Sequence, residues 1–181
     1  MGKNNNHNII ADEFSTRIYD IELEHLFKNN KKYFLVDLDN TLVSWGLSDL
    51  SPRMAEWVRR VRAMGGDVCI VSNSGGKRRV RRIAGLLDVH AIWRARKPAP
   101  DAFVQGAELL GAETCQCVVV GDKLVTDIRG GKKAGMYTIH VMPLSDTNYI
   151  KGKIREIVLN VKNKIIKSSQ ENTDASDNRY S

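Results

Sequence analysis

Two aspartates stand two positions apart where a short apolar run ends, in residues 34–41 (FLVDLDNT). The run predicts a buried β-strand, and residues i and i+2 of an extended segment point to the same side. Asp37 and Asp39 are therefore expected to lie side by side at the strand end. Two close carboxylates repel each other, so they suggest a hard divalent cation or an acid/base pair. A turn is the alternative, because Asp and Asn are common turn residues.

Three later apolar runs also lead into polar side chains. Residues 68–71 precede Ser72 and Asn73, residues 89–93 precede Lys97, and residues 118–121 precede Asp122, with Asp127 shortly after. The carboxyl ends of strands in a parallel sheet share one edge, and ligands bind in the crevice outside it. Carboxylates that hold a cation, with a hydroxyl and an ammonium that hold an anion, are the groups that phosphoryl transfer requires.

These motifs, in this order, resemble the haloacid dehalogenase superfamily of phosphotransferases. They are residues 37–41 (DLDNT), Ser72, Lys97 and residues 121–127 (GDKLVTD). One branch is matched more fully, since residues 18–21, 42–46, 70–73 and 119–128 are similar to the YqeG-type phosphatases. That branch is similar to the mitochondrial phosphatidylglycerophosphate phosphatases. The resemblance covers residues 17–143.

The resemblance implies a role for each aspartate of the first motif. Asp37 would be the nucleophile that forms an aspartyl-phosphate. Asp39 would protonate the leaving alkoxide and then deprotonate the attacking water. The implied cofactor is Mg²⁺, bound by the carboxylate of Asp37, the backbone carbonyl of Asp39 and Asp122. Mg²⁺ prefers few carboxylates together with substrate oxygens and waters.

Further residues are implied to bind phosphate or to support the site. Ser72 and Lys97 would hold the phosphoryl oxygens, and Asn73 is expected to line the same pocket. Asp127 would support Lys97 or a metal-bound water, with a place at a helix N-terminus as the alternative. Thr41 would orient the Asp37 loop through its hydroxyl, or serve as a simple cap.

The alternation of strands and helices predicts an α/β fold with a doubly wound parallel sheet of five strands. The resemblance implies the strand order 5-4-1-2-3. Helices are expected over residues 19–30, from Pro52 to the glycines at 65–66, from Pro98 to Leu110, and over residues 126–134. A further helix is expected around an apolar stripe formed by Val80, Ile83, Ala84 and Leu87. Little chain separates the motifs, so we expect no cap domain and an open site.

The chain divides into four predicted parts. Residues 1–14 are Asn-rich and expected to be flexible, and residues 15–145 form the phosphatase core. Residues 146–167 have isoleucine and valine at helical spacing, with lysine and arginine largely elsewhere around the wheel. This basic amphipathic helix would either pack on the sheet or lie on an anionic bilayer. Residues 168–181 are polar without periodicity and are expected to be disordered.

The composition limits the compartment and the partners. The chain has 181 residues, a net charge of +7 and three cysteines, an odd number that argues for a reducing compartment. No apolar stretch reaches the roughly 20 residues needed to cross a bilayer, and the start of the chain lacks a signal-peptide core. We expect a cytoplasmic protein, and a peripheral membrane contact is the alternative that follows if residues 146–167 lie on a bilayer rather than pack on the sheet. Basic clusters at residues 77–82 and 150–167 fit phosphorylated molecules, lipid headgroups or nucleic acid, and each alone also fits a solvated helix face.

The favoured function is therefore Mg²⁺-dependent phosphomonoester hydrolysis, with phosphatidylglycerophosphate as the candidate substrate. One alternative is a phosphatase of a soluble nucleotide, a sugar phosphate or a phosphoprotein. Another is a non-catalytic module that recruits RNA or a membrane. The paired Asp37 and Asp39 argue against a pure binding protein, because such a protein would not need both carboxylates.

Overall fold

The structure is a computed structural model, and it describes residues 9–44 and 50–144. The amphipathic helix expected over residues 146–167 and the tail 168–181 lie outside the described residues. Among the helices that are described, none is long and apolar enough to cross a membrane.

Within the part of the chain that the structure describes, six parallel strands form one sheet. They are β1 (Glu13–Ser15), β2 (Tyr33–Val36), β3 (Asp67–Val71), β4 (His90–Ile92), β5 (Cys117–Gly121) and β6 (Tyr137–Val141). Their order across the sheet is β1-β6-β5-β2-β3-β4. The five predicted strands therefore lie in the implied order, and the doubly wound α/β class is confirmed. The sheet has six strands because β1 adds to the free edge of β6.

β1 corrects the expected N-terminal boundary, because its first two residues fall within the segment 1–14 that was expected to be flexible. The strand has only three residues and no apolar run, so its sequence carries no strand pattern. It is held by tertiary contacts: the carboxylate of Asp12 accepts hydrogen bonds from the backbone and the hydroxyl of Thr138, both at 2.8 Å.

The helices are α1 (Leu23–Lys28), α2 (Pro52–Ala63), α3 (Lys77–Leu87), α4 (Asp101–Leu109) and α5 (Arg129–Lys133). α2 follows its sequence signals closely. The hydroxyl of Ser51 accepts a hydrogen bond from the backbone of Arg53, Pro52 occupies the first position, and Gly65 follows the end with a φ of +84°. A left-handed residue just past the last turn is the usual stop for a helix, and glycine adopts it without strain.

Three expected helices have different bounds. The helix expected over residues 19–30 is instead a 3₁₀ turn (Ile18–Asp20) followed by α1. The helix expected over residues 126–134 is the end of a π-helical turn (Leu124–Ile128) followed by α5. α4 begins at Asp101 rather than at Pro98. A proline disfavours the helical conformation of the residue before it, and a second proline at position 100 delays the helix by the same rule.

Two apolar cores cover the two faces of the sheet. Alternate residues of β2 belong to opposite cores: Phe34 and Val36 lie in one core, and Leu35 lies in the other. Trp57 of α2 packs edge-on against Phe34, with ring centroids 5.2 Å apart, and Phe103 of α4 lies in the core on the Leu35 side. The alternation follows from the strand repeat of two residues, and it requires helices on both faces.

Few elements separate the motif-bearing strands. In the described part of the chain, β2 is followed by α2, and β3 is followed by α3, with no added domain between them. Residues 45–49 of the β2–α2 connection lie outside this description. The arrangement agrees with the expected capless architecture.

Candidate active site

The strand register brings the first and last motifs together. Val36 of β2 pairs with Ile70 of β3 and with Val120 of β5, so the residues that follow these three strands are neighbours at one edge of the sheet. The backbone N–H of Asp37 donates to the carbonyl of Val120 at 2.9 Å, which extends the β2–β5 pairing by one residue. The predicted edge site therefore lies around Asp37.

Lys97 is the centre of the site. Its Nζ atom lies 2.5 Å from Oδ1 of Asp37 and 2.6 Å from Oδ1 of Asp127, and it donates to the backbone carbonyl of Val71 at 2.8 Å. The side chain is 2% exposed. A buried ammonium must be paired to be tolerated, and here two carboxylates and a carbonyl surround it.

Burial shifts the charge states of this cluster. It raises the pKa of Asp37 to about 7, with the charges of Asp127 and Asp122 acting in the same direction and Lys97 opposing them. Burial also raises the pKa of Asp122 to about 6. Burial alone would lower the pKa of Lys97, but the charges of Asp37 and Asp127 outweigh it, and that pKa is raised. The cluster therefore has more negative charge than one ammonium can balance.

The acidic residues fit a metal ion. Asp37, Asp122 and Asp127 each offer an oxygen within 4.8 Å of the others. Among the described residues, Oδ2 of Asp37 and Oδ1 of Asp122 are buried without a hydrogen-bond partner. Hard oxygen donors of this kind suit Mg²⁺, and a cation would offset the repulsion that helps to raise the pKa of Asp37.

Asp127 reaches the cluster because the residue before Asp122 is a glycine. A Cβ atom on Gly121 would lie 2.5 Å from Cβ of Asp127. The other oxygen of Asp127 accepts a hydrogen bond from the backbone of Lys123 at 3.1 Å. Asp127 was expected either to support Lys97 or to lie at a helix N-terminus. The structure has both contacts: the ion pair with Lys97, and the bond to the Lys123 backbone at the start of the following turn.

Asp39 does not join the acidic cluster. Its Oδ1 atom accepts a hydrogen bond from Nη1 of Arg79 at 2.7 Å. Arg79 lies on α3 within the basic run at residues 77–82, which on its own fits a solvated helix face. Sequence reasoning missed this residue, since a basic run does not reveal which of its members turns inward.

Ser72 and Asn73 occupy the loop after β3. Ser72 is 1% exposed, and its hydroxyl oxygen accepts a hydrogen bond from the backbone of Ser74 at 3.1 Å. The Asn73 side chain donates to the backbone carbonyl of Lys97 at 3.1 Å and accepts from the backbone N–H of Lys97 at 2.7 Å. Asn73 therefore contacts Lys97 through both ends of its amide, and its expected contact with phosphate stays a prediction.

Two other polar residues near the site differ from expectation. Thr41 is buried, but its hydroxyl makes no hydrogen bond to the described residues, so neither the orienting bond nor the cap expected of it is seen. His140 of β6, to which the sequence assigned no role, lies with Nε2 at 2.9 Å from the backbone carbonyl of Asp122. The pairing of Gly121 with His140 in the sheet explains this contact.

Three exposed cations lie on α3 and in the loop that follows β4. Trp93 is half-buried, with Nζ of Lys77 at 4.7 Å and Cζ of Arg81 at 5.4 Å from its ring centroid. The backbone N–H of Arg94 donates to the carbonyl of Ser74, in the loop that follows β3, at 3.1 Å. We call Lys77, Arg81 and Arg94 the basic rim.

The chain matches a family model described as haloacid dehalogenase-like hydrolase over residues 10–135. It is 38% identical over 139 residues to "Probable phosphatase YqeG" of Bacillus subtilis, which covers 77% of this chain and 80% of that protein. It is 26% identical over 150 residues to "Phosphatidylglycerophosphate phosphatase 1, chloroplastic/mitochondrial" of Arabidopsis thaliana. That match covers 77% of this chain but only 43% of the plant protein.

A solved structure agrees on the fold. The structure "NagD from E.coli K-12 strain" superposes with a TM-score of 0.50 at 15% identity, covering 66% of this chain and 91% of that one. The family match spans the predicted motifs, and the resemblance to the YqeG-type branch is confirmed. The chain therefore belongs to the haloacid dehalogenase-like hydrolase family, and it is an enzyme of the phosphatase type similar to YqeG.

Proposed function

We propose that the chain is a Mg²⁺-dependent phosphomonoester hydrolase that acts through an aspartyl-phosphate on Asp37. The observation that carries this proposal is the environment of the Asp37 carboxylate. Its Oδ1 atom is paired with Lys97, whereas Oδ2 is buried without a hydrogen-bond partner among the described residues. One oxygen is thus held in place, and the other is available to a phosphorus atom or a cation.

The reaction would have two steps. First, an oxygen of Asp37 attacks phosphorus, the bond from phosphorus to the leaving oxygen breaks, and Asp39 donates a proton to that oxygen. Then Asp39 takes a proton from water, the water oxygen bonds to phosphorus, and Asp37 leaves as a carboxylate. The products are the alcohol and inorganic phosphate, and both aspartates return to their starting states.

Lys97 and Ser72 would stabilise the transferring phosphoryl group. The neighbouring carboxylates raise the pKa of Lys97, so its ammonium is charged at neutral pH. Fixed charges in a water-poor site stabilise developing negative charge more strongly than charges in bulk water. Ser72 can donate its hydroxyl proton to a phosphoryl oxygen while its oxygen keeps the bond from Ser74. Asn73 hydrogen-bonds the backbone of Lys97 and so fixes the main-chain position from which the lysine side chain extends.

Mg²⁺ is the proposed cofactor. The carboxylates of Asp37 and Asp122 and the backbone carbonyl of Asp39 would hold it. When bound, it would supply positive charge beside the phosphoryl oxygens.

The proposed substrate is a phosphorylated lipid headgroup, phosphatidylglycerophosphate. Two curated relatives carry that activity in their names, the Arabidopsis protein and "Phosphatidylglycerophosphate phosphatase 1, chloroplastic" of Chlamydomonas reinhardtii, which is 28% identical over 122 residues. The chain spans less than half the length of either. The basic rim adds support, because a second anionic group beside the scissile phosphate would meet positive charge there. Contact with an anionic membrane surface stays a prediction.

Metal dependence is tested with an aryl phosphate. Wild-type protein should hydrolyse it with Mg²⁺ and lose activity in excess chelator. Asp122→Asn should need at least about tenfold more Mg²⁺ for half-maximal rate, since it removes a proposed ligand. Asp101→Asn, which changes an exposed carboxylate at the start of α4, should need the wild-type concentration. Full activity in chelator would refute the metal role.

Substrate choice is tested separately. Phosphatidylglycerophosphate in detergent micelles is compared with a panel of soluble nucleotides, sugar phosphates and a phosphopeptide at equal Mg²⁺. We expect kcat/KM for the lipid phosphate to exceed the panel by at least about tenfold, which corresponds to about 1.4 kcal/mol of transition-state binding. A soluble compound that equals or exceeds the lipid would refute this substrate while leaving the phosphatase proposal intact.

A further inference from the structure

The carboxylate proposed as general acid and base is held by a residue outside the four motifs. Nη1 of Arg79 lies 2.7 Å from Oδ1 of Asp39, and the two side chains are 20% and 15% exposed. Charge-assisted hydrogen bonds at this distance are about twice as strong as neutral ones. Partial burial protects the pair from solvent screening, so it is stronger than an ordinary surface ion pair.

The placement of Arg79 is unfavourable for α3 alone. Arg79 lies in the first turn, together with Lys77 and Arg78, and no acidic residue lies in that turn. The helix dipole is positive at this end, so cations there destabilise the helix. Val80, the next residue, is fully buried and fixes the rotation of the helix. The sheet core therefore determines that Arg79 points towards the end of β2, where Asp39 provides the opposite charge.

Backbone contacts hold the main chain of Asp39 but not its carboxylate. Asp39 forms an isolated bridge with Val43, and the backbone N–H of Asn40 donates to the carbonyl of Val43 at 2.7 Å. These bonds fix the loop, yet they leave rotation about the side-chain bonds of Asp39 open. The Arg79 contact restrains that rotation.

We propose that Arg79 is a positioning residue that holds the Asp39 carboxylate in the orientation needed for proton transfer. The inference rests on the proposed function, because it assigns Arg79 a task only if Asp39 moves a proton. It predicts that the effect of losing Arg79 depends on the leaving group. An alkyl phosphate needs a proton delivered to its poor leaving group, whereas a nitrophenyl phosphate does not.

The test compares glycerol phosphate with para-nitrophenyl phosphate. Arg79→Gln should lower kcat/KM for the alkyl substrate by about 10- to 100-fold, part of the 10²–10⁴ that general acid catalysis contributes. The same variant should lower kcat/KM for the aryl substrate by less than about threefold, because nitrophenolate leaves without a proton from Asp39. Its kcat for the aryl substrate should fall, with a burst of nitrophenol, because water attack also needs Asp39.

Matched variants separate positioning from a structural effect. Arg79→Lys retains a cation and should recover part of the alkyl activity, and it guards against misfolding of Arg79→Gln. Arg82→Gln removes an exposed charge from the same helix and should keep the wild-type ratio of alkyl to aryl activity. In an Asp39→Asn background, Arg79→Gln should cause little further loss, since the group that it positions is already inactive.

Three results would overturn the inference. One result is that Arg79→Gln lowers kcat/KM equally for the alkyl and the aryl substrate. Another is that the fold-losses of kcat/KM caused by Arg79→Gln and Asp39→Asn multiply in the double variant. Either would mean that Arg79 acts independently of Asp39. If Asp39→Asn itself showed no leaving-group dependence, the proposed acid and base role would fall, and the inference with it. The first two outcomes leave the proposed function standing, so the failure of the inference and the failure of the proposed function are distinguishable.

Discussion

Replacing Lys97 by methionine tests how the buried charges are balanced. Methionine has a similar length but no charge, so Lys97→Met removes an ammonium that lies within 2.6 Å of two carboxylates. Removing one partner of a buried ion pair typically costs about 3–5 kcal/mol, because the remaining charge is left uncompensated. Against a total stability of about 5–15 kcal/mol for a typical domain, this loss is large.

The pH dependence of that loss follows from Asp37. Burial already raises the pKa of Asp37 from 3.8 to about 7, and Lys97 is the charge that opposes the rise. Without Lys97 the pKa of Asp37 rises further. An acid whose pKa is higher in the folded state binds more protons when folded, so stability falls as pH rises. Lys97→Met should therefore be least destabilised near pH 4 and lose stability as the pH is raised towards and beyond 7.

The assay is urea unfolding of wild type and variant, without metal, at several pH values between about 4 and 8. This range runs from the ordinary pKa of Asp37, 3.8, to above its value of about 7 in the folded protein. The control is Lys133→Met on α5, an exposed lysine whose loss should change stability by less than about 0.5 kcal/mol. A loss under about 1 kcal/mol at pH 8, or one that grows towards pH 5, would refute the assumption that Lys97 compensates buried carboxylates.

Three further variants test the chemistry and the packing of the site. Asp37→Asn should abolish turnover and leave no phosphorylated protein, and phosphate trapped on another residue would contradict its role as nucleophile. Asp39→Asn should accumulate acid-stable labelled phosphate on Asp37 with an aryl phosphate, and unchanged turnover would contradict its role as base. Gly121→Ala should displace Asp127 and cost about 1–3 kcal/mol of unfolding free energy, since a Cβ atom there would lie 2.5 Å from Cβ of Asp127. Gly85→Ala, at an exposed helical glycine with open space, should be neutral or stabilising, and equal losses would contradict the close-approach argument.

Local sequence patterns were sufficient to predict the fold class and to predict which strand-end residues lie together. The strand repeat and the apolar runs of β2, β3 and β5 can be read from adjacent residues, and so can the polar residues that follow each strand. In a parallel sheet all strand ends of one kind share an edge, so Asp37, Lys97 and Asp122 could be placed together before any contact was known. These inferences need only the residues within each strand and the one rule of parallel topology.

Contacts between distant side chains were decided by the tertiary structure. The pairing of Asp39 with Arg79 spans 40 positions and depends on how the core rotates α3. The amide of Asn73 contacts the backbone of Lys97 because the loops after β3 and β4 run side by side, a distance that no local pattern gives. The same is true of His140 and Asp122, which meet only because β5 and β6 are neighbours in register.

β1 marks the limit of sequence reasoning most clearly. Its three residues contain a single apolar side chain, Phe14, and their strand form comes from pairing with β6 and from the bonds of Asp12 to Thr138. A short edge strand gains its hydrogen bonds from the partner rather than from its own propensity, so its conformation is a property of the assembled sheet. Sequence alone determined which groups can do chemistry at the edge of this sheet, and tertiary packing decided which of them touch and what holds them there.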